Sequence, residues 1–323
     1  GVVDGVPVYV DSVIYERNKL MERIGQLNAE DSSYLALVPT VDGWNRAWQQ
    51  AASYYKFSSS LEKSDSLQRY WTSRAMFDDA IFSMKWQKSP KDSLVSVHYS
   101  SSNPEYHVFY NPYEADGIVG KSYKKYECSN GTLCFYDEWP FTPEQTYFQK
   151  IEQEAEQTWN ISNYDLCTVN GRAHTADSIS EGAYLDIVPR RGTDNWKVTH
   201  KLHNTLAGAY DFCIIVLPKT VENPRGDKRP NKFNVTINYI DEDGTPRTYN
   251  CDGKTFTNDP LVTDTIVVAE NFKLPACNYD QNNDKVSITI TCNISAREQA
   301  RYNREMYLDC IFLRPRAEAE PNN

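Results

Sequence analysis

Beyond Ile151 the sequence is a succession of short apolar and polar alternations broken by turn residues, a pattern that admits little except antiparallel strands. Residues 184–188, 209–217, 233–240, 245–250, 264–268, 286–291 and 306–313 are the clearest of these strands. Gly, Asn, Asp and Pro separate them, as in Asp241-Glu242-Asp243-Gly244. Val286, Ile288 and Ile290 alternate with Ser287, Thr289 and Thr291, as in a strand with one buried face. Strands this short, with turns this frequent, predict a two-sheet sandwich.

Before Gly120 the period is different. Val13, Leu20, Met21, Ile24 and Leu27 recur at helical spacing over residues 11–27, with Asp11 and Ser12 as N-cap candidates. A short buried strand follows at 34–38. Trp44, Ala47, Trp48, Ala51 and Tyr55 then share one face of a second helix. A third is expected over 65–86, where Asp65 and Gln68 resemble a capping box and Leu67, Trp71, Arg74, Phe77 and Ile81 line one side. Residues 89–120 read as a polar, Pro-containing loop. Lys121–Glu127 and Thr132–Tyr136 flank Asn130-Gly131, a hairpin signal because both turn residues tolerate positive φ.

A chain of 323 residues exceeds what one hydrophobic core usually supports, and a domain boundary is expected between Pro143 and Ile151. The tail, 317–323, lacks packing residues and is expected to fray. No internal repeat argues for a solenoid or propeller. A net charge of -10 gives phosphate-rich polymers no general attraction, which excludes nucleic acid as the expected partner. No apolar run is long enough to span a membrane. The chain is read as a mature or trimmed form whose leader and anchor have been removed. Its 22 Tyr and 7 Trp suit adhesive or sugar-facing surfaces, although β-sheet proteins use such residues in their cores too.

The eight cysteines lack zinc-cluster spacing. Most read as small buried hydrophobes, while Cys128 and Cys134 flank a turn and face each other only if its loop has an odd count. Ala115–Ser122 matches a permissive phosphate-loop pattern but lacks the strand before and the helix after that such a loop needs. His200 and His203, three apart on a strand, point to opposite faces and make poor joint ligands. Neither a Gly-x-Ser-x-Gly elbow nor a cysteine-protease signature is present, and Asp78-Asp79 reads as a solvated helix pair, so catalysis is not expected. Asn130, Asn160, Asn234 and Asn293 begin Asn-x-Ser/Thr triplets, which matter only in a eukaryotic secretory route.

Two segments resemble the signatures of fasciclin domains: Ser33–Trp44, in which an apolar strand runs into Pro39-Thr40 and then Trp44, and Cys128–Asp137, in which Ser129-Asn130-Gly131 reverses the chain into a strand. The resemblance covers roughly 2–147 and implies a helix-wrapped β-sandwich wedge. Pro39, Thr40, Trp44, Asn130 and Gly131 would then be structural. Pro39 would stop the strand, Thr40 or Asp42 cap the helix, and Trp44 anchor it. The Tyr-His pair of some fasciclin domains has one counterpart, Tyr106-His107, which falls in the loop instead of the apolar segment where it is expected.

The second half resembles galactose-binding-like, carbohydrate-binding jelly-roll domains of Bacteroidetes-type surface proteins. Ile151–Glu156, Leu206–Asp211 and Leu308–Pro315 carry that resemblance. It implies a structural calcium held by Glu154, Glu156 and Asp309, should the first and last strands be neighbours; the alternative is solvated edge-strand carboxylates.

The resulting fold class is α+β: a fasciclin-like wedge over 2–147, an all-β jelly-roll-like sandwich over 148–316, and a disordered tail over 317–323. The expected function is non-catalytic adhesion or recognition of protein or glycan at the extracellular or cell surface, with outer-membrane anchoring through the removed leader. A glycan-processing surface enzyme and a purely structural spacer are the alternatives. No cofactor is expected beyond the calcium.

Overall fold

The computed structural model describes residues 2–3, 6–7, 27–96, 107–281 and 285–316. The helix expected over 11–27 lies outside them except for Leu27, as do Tyr106, His98 and the tail. Among the described residues the chain is mostly β-sheet with two α-helices, Val41–Tyr54 and Ser64–Asp78. It divides into two compact units, Gly1–Ala47 with Arg74–Phe141, and Trp48–Ser73 with Thr142–Asn323. Residues 48–73, assigned by sequence to the first domain, cluster instead with the second, because their backbone bonds there: Cys277 N donates to Lys56 O at 2.7 Å and Ala207 N to Tyr54 O at 2.8 Å.

The short pair β1 (Val2–Val3) and β2 (Val6–Pro7) opens the chain. The first unit is then organised by β3 (Tyr34–Pro39), β4 (Ile81–Ser83), β7 (Lys124–Cys128) and β8 (Gly131–Tyr136), in the order β4-β3-β8-β7. Here β3 runs parallel to β8 from Tyr34 opposite Gly131 to Pro39 opposite Tyr136. The two segments read as paired signatures therefore lie side by side. Thr40 locks their far end. Its amide donates to Tyr136 O at 2.9 Å, its hydroxyl donates to Asp137 O at 2.6 Å, and the same oxygen accepts from Gly43 N at 3.1 Å. Thr40, not Asp42, thus caps the helix. Trp44 packs against Phe77 and Trp139, with ring centroids 5.1 and 5.6 Å away.

Three expectations fail in this unit: the end of the helix after Ser64, the solvated state of Asp78-Asp79, and the loop over 89–120. The helix expected to Trp86 ends at Asp78, because Ile81–Ser83 pairs with β3 and Leu37 N is taken by Ala80 O. Its buried positions are Trp71, Thr72, Ala75, Met76 and Asp78, with Phe77 exposed, and since Asp79 is buried as well the acid pair is not a solvated one. The loop expected over 89–120 holds β5 (Ser93–Val95) and β6 (Val108–Tyr110), whose Leu94 and Phe109 join Leu35, Leu37, Phe82 and Cys134 in the core. Cys128 and Cys134 do not bridge. Cys128 is exposed opposite Gly131, Cys134 is buried opposite Lys125, and all eight cysteines are free thiols.

The second unit carries a two-sheet sandwich. One sheet has the order β11-β12-β20-β14-β18, from β11 (Cys167–Ala173), β12 (Ala183–Pro189), β14 (Gly208–Leu217), β18 (Asp264–Leu274) and β20 (Met306–Arg316), with β9 (Ile151–Glu154) also on β20. The other runs β10-β13-β19-β15-β16, from β10 (Ile161–Asp165), β13 (Lys197–Lys201), β15 (Lys232–Ile240), β16 (Pro246–Asn250) and β19 (Ser287–Cys292), with β17 (Phe256–Thr257) on β15. Every pairing is antiparallel. Leu185, Ile187, Phe212, Ile214, Leu308 and Ile311 of the first sheet and Val198, Val235, Ile237, Ile288 and Ile290 of the second are buried. Phe272 of the first sheet closes on Tyr239 and Tyr249 of the second, at 5.2 and 4.8 Å between centroids.

His200 shares the inward face of β13 with Val198 and is fully buried. Neither ring nitrogen has a hydrogen-bond partner among the described residues, and burial pushes its pKa down from 6.5 to about 4. The neutral ring's contribution is therefore complete above the unfolded value and is lost as pH falls through about 4. Replacing two uncompensated polar atoms by methyl groups relieves their desolvation. His200→Leu is expected to raise the melting temperature, with the gain over wild type widening between pH 6.5 and pH 4. A gain that stays constant across that range would show that the ring's protonation is not what wild type loses.

Candidate functional site

The outward face of the β10-β13-β19-β15-β16 sheet is assembled by register from residues far apart in sequence. Opposite Val198 and His200, a period of two presents Lys197, Thr199 and Lys201, which pair with Thr291, Thr289 and Ser287 of β19. Those residues face Asn234, Thr236 and Asn238 of β15, and Asn250 and Thr248 of β16 lie beyond them. Asn163 and Asp165 extend the array onto β10. None of these paired positions is apolar, and Ile240 opposite Pro246, the next rung on the same face, ends the array.

The array is wired together. Thr199 Oγ1 lies 2.9 Å from Thr289 Oγ1, and Asn238 Nδ2 donates to Ser287 Oγ at 3.2 Å and Thr289 Oγ1 at 3.4 Å. Thr248 Oγ1 donates to Asn238 Oδ1 at 3.1 Å and Thr236 Oγ1 to Asn250 Oδ1 at 3.2 Å. These bonds fix rotamers, so hydroxyl and amide groups are held in a set pattern. The small central residues Thr199, Ser287 and Thr289 lie low at 9, 5 and 4% exposure, while Lys197, Asn163, Asn234, Thr248 and Asn250 stand exposed at the rim. Such a shallow, mostly uncharged trough is suited to a ligand that both donates and accepts hydrogen bonds.

At one end of β10, the turn Thr158–Asn160 holds Trp159 at 72% exposure. The turn is tethered by Asn160 Oδ1, 2.9 Å from His203 Nε2. An indole displayed on an anchored turn offers a flat apolar contact at little entropic cost. Sequence reading missed this face, since Ser287, Thr289 and Thr291 appeared there only as the polar side of one strand. The register that aligns them with Thr199 and Thr236 is a long-range property.

The acidic residues anticipated for calcium lie on the other sheet. β9 joins β20 with Glu154 opposite Cys310, and Ala155 N donates to Asp309 O at 3.0 Å, so the first and last strands are neighbours. Ser180 sits between the carboxylates: its Oγ donates to Glu154 Oε1 at 2.7 Å, and its amide donates to Asp309 Oδ1 at 3.1 Å. Glu154 Oε2 and Glu156 Oε2 are buried and have no hydrogen-bond partner among the described residues. Burial, then repulsion from Glu154, Glu156 and Glu152, raises the Asp309 pKa from 3.8 to about 7 against the opposing Ser180 amide. Burial also raises the carboxyls of Glu154 and Glu156.

Glu152, Glu154 and Cys310 are the set of three whose metal-capable atoms lie within 4.8 Å of one another among the described residues. That set suits a cation poorly, because burial pushes the Cys310 thiol up and Glu152 is ion-paired to Lys150 at 2.5 Å. Glu154, Glu156 and Asp309 supply the hard oxygens calcium prefers, two of them orphaned, although as placed they are gathered less tightly than 4.8 Å.

No family model and no curated protein matches the chain. Solved structures with similar regions include the family 22 carbohydrate-binding module and catalytic module of Clostridium thermocellum xylanase 10B, at 10% identity over 51% of this chain and 28% of that one, with a TM-score of 0.33. A xylan-binding domain of family 22 aligns at 12% identity over 52% of this chain and 96% of its own, with a TM-score of 0.30. A family 35 carbohydrate-binding module from Clostridium thermocellum aligns at 7% identity over 50% and 96%, with a TM-score of 0.27. The two-sheet architecture rests on the strand register itself, not on these likenesses.

Proposed function

We propose that this chain is a non-catalytic recognition protein of the cell surface whose second unit, a galactose-binding-like jelly roll, binds neutral glycan chains along the polar sheet face. The observation that carries the reading is the Thr, Ser and Asn array of β13, β19, β15 and β16, held by its own hydrogen bonds and lacking apolar interruption. Sugar hydroxyls are donors and acceptors at once, and a trough presenting both can match them without burying charge. Trp159 adds a ring on which the apolar face of a pyranose can stack. The first unit is read as a fasciclin-like adhesion-type module, a reading supported by the parallel pairing of β3 with β8 and the Thr40 cap.

A glycan array combined with a hydrolysis assay tests the proposal. Binding without turnover is expected. Trp159→Ala and Asn238→Ala are each expected to weaken it about tenfold or more, since central contacts of this kind contribute about 2 kcal/mol. Unchanged affinity in both folded variants would remove the polar face from consideration. Turnover would favour the glycan-processing alternative, for which the carboxyls of Asp309 and Glu154, linked through Ser180, are the specific observation.

A further inference from the structure

Among the described residues the first unit ends its sheet on β7, which pairs with β8 on one side only, and all five of its residues, Lys124-Lys125-Tyr126-Glu127-Cys128, are exposed. An unpaired edge offers backbone donors and acceptors to another strand. We propose that β7 pairs antiparallel with β7 of a second copy of this chain about a two-fold axis through Tyr126, and that this edge is the protein's self-association surface.

The choice of occupant follows from charge and symmetry. Paired residues of an antiparallel ladder point to the same face, and a two-fold axis perpendicular to the sheet preserves faces. The axis must therefore pass through a residue, never between two. Centred on Lys124 or Lys125 it opposes two lysines, and centred on Glu127 it opposes two glutamates. Centred on Cys128 it sets the strand against the Ser129-Asn130 turn; Tyr126, the midpoint, alone pairs all five strand residues without opposing like charges. In that register Tyr126 meets Tyr126, and Lys125 meets Glu127 twice, once on each side of the axis. Glu127 is already oriented: its Oε2 accepts from Thr132 Oγ1 at 2.8 Å. Lysines on an edge usually repel further strands, but with Glu127 two positions along, Lys125 gains a partner in an identical strand. Two copies would also present two polar sheet faces, raising avidity for a multivalent glycan surface without any new sugar contact.

Sedimentation velocity over a concentration series at low salt tests the proposal. The full chain is expected to show a monomer-dimer equilibrium. Lys125→Glu and Glu127→Lys, each turning two attractions into two repulsions, are each expected to weaken dimerisation roughly tenfold or more. The double variant K125E/E127K is expected to return it to near the wild-type value, which also excludes misfolding as the cause of the single losses. Tyr126→Cys in a Cys128→Ser background is expected to form an interchain disulfide under mild oxidation, because position 126 meets itself on the axis. A wild-type chain that stays monomeric throughout the series, or a dimer indifferent to both charge reversals, overturns the proposal.

Discussion

Gly131→Ala is expected to cost the first unit about 3 kcal/mol or more, a penalty set by steric overlap at a strained backbone position. Gly131 has a φ of +155°, and a Cβ placed on it lies 2.1 Å from Tyr34 O and 2.9 Å from both Tyr34 C and Tyr34 N. Those atoms are backbone and belong to the first rung of the β3-β8 ladder, where Tyr34 stands opposite Gly131. No rotamer change relieves the overlap, so the strands must separate where their pairing starts. The same rung carries Tyr34 N to Asn130 O at 2.9 Å, and Asn130 Nδ2 to Leu27 O at 2.8 Å, so the disturbance reaches both flanks. Hydrogen exchange reads the effect directly. The amide of Thr40, bonded to Tyr136 O at the far end of the ladder, is expected to exchange roughly 100-fold faster, in step with the lost stability. Gly192→Ala is the control, because nothing lies within 4 Å of the added methyl, and it is expected to change little. Thr40 protection equal to wild type in Gly131→Ala would show that the ladder does not depend on the missing side chain.

What could be read from the sequence and what could not divide along the range of the interactions involved. The strands of the sandwich were legible because period-two alternation is local, as in Ile288 and Ile290 against Ser287 and Thr289. The Thr40 cap was legible because Pro39 ends the strand before it, and the hairpin because Asn130-Gly131 marks a reversal, although the turn itself is Ser129-Asn130 and Gly131 opens β8 opposite Cys128. The end of the helix Ser64–Asp78 was not, since Ile81–Ser83 leaves the helix to pair with β3, some 45 positions earlier in the chain. Leu94 and Phe109 escaped notice because three-residue strands give no period to detect. Glu154 and Asp309 were anticipated together from a resemblance, and the register of β9 on β20 brings their strands side by side. The polar trough needed four strands aligned before it existed at all. Seen one strand at a time, Thr199, Asn238 and Thr248 are ordinary solvent-side residues.

Chelation of calcium at pH 8 is expected to lower the melting temperature of the second unit by about 5 to 10 °C, as loss of a ligand present near 100 times its dissociation constant removes about 2.7 kcal/mol. The residues that would hold the ion are Glu154, Glu156 and Asp309, and its contribution would be neutralisation of carboxylates that the fold buries with two oxygens unsatisfied. The pH dependence distinguishes this from a merely protonated cluster. Asp309 titrates at about 7 in the folded chain against 3.8 in the free side chain. In chelator, its contribution to stability is fully present below the unfolded value and is lost as pH rises through 7, so above pH 6.5, where the His200 contribution is already complete, the melting temperature is expected to fall toward pH 8. Calcium competes with the proton for the same oxygens, and its stabilisation is therefore expected to be small at pH 5 and to grow as the pH rises. Asp309→Asn keeps the shape and removes the charge. In that variant both this pH slope and the calcium shift are expected to shrink together. A slope in chelator with no calcium effect at pH 8 would mean that the carboxyls hold a proton and no metal, which ends the calcium reading. Loss of the slope while calcium still stabilises would place the ion elsewhere on the chain.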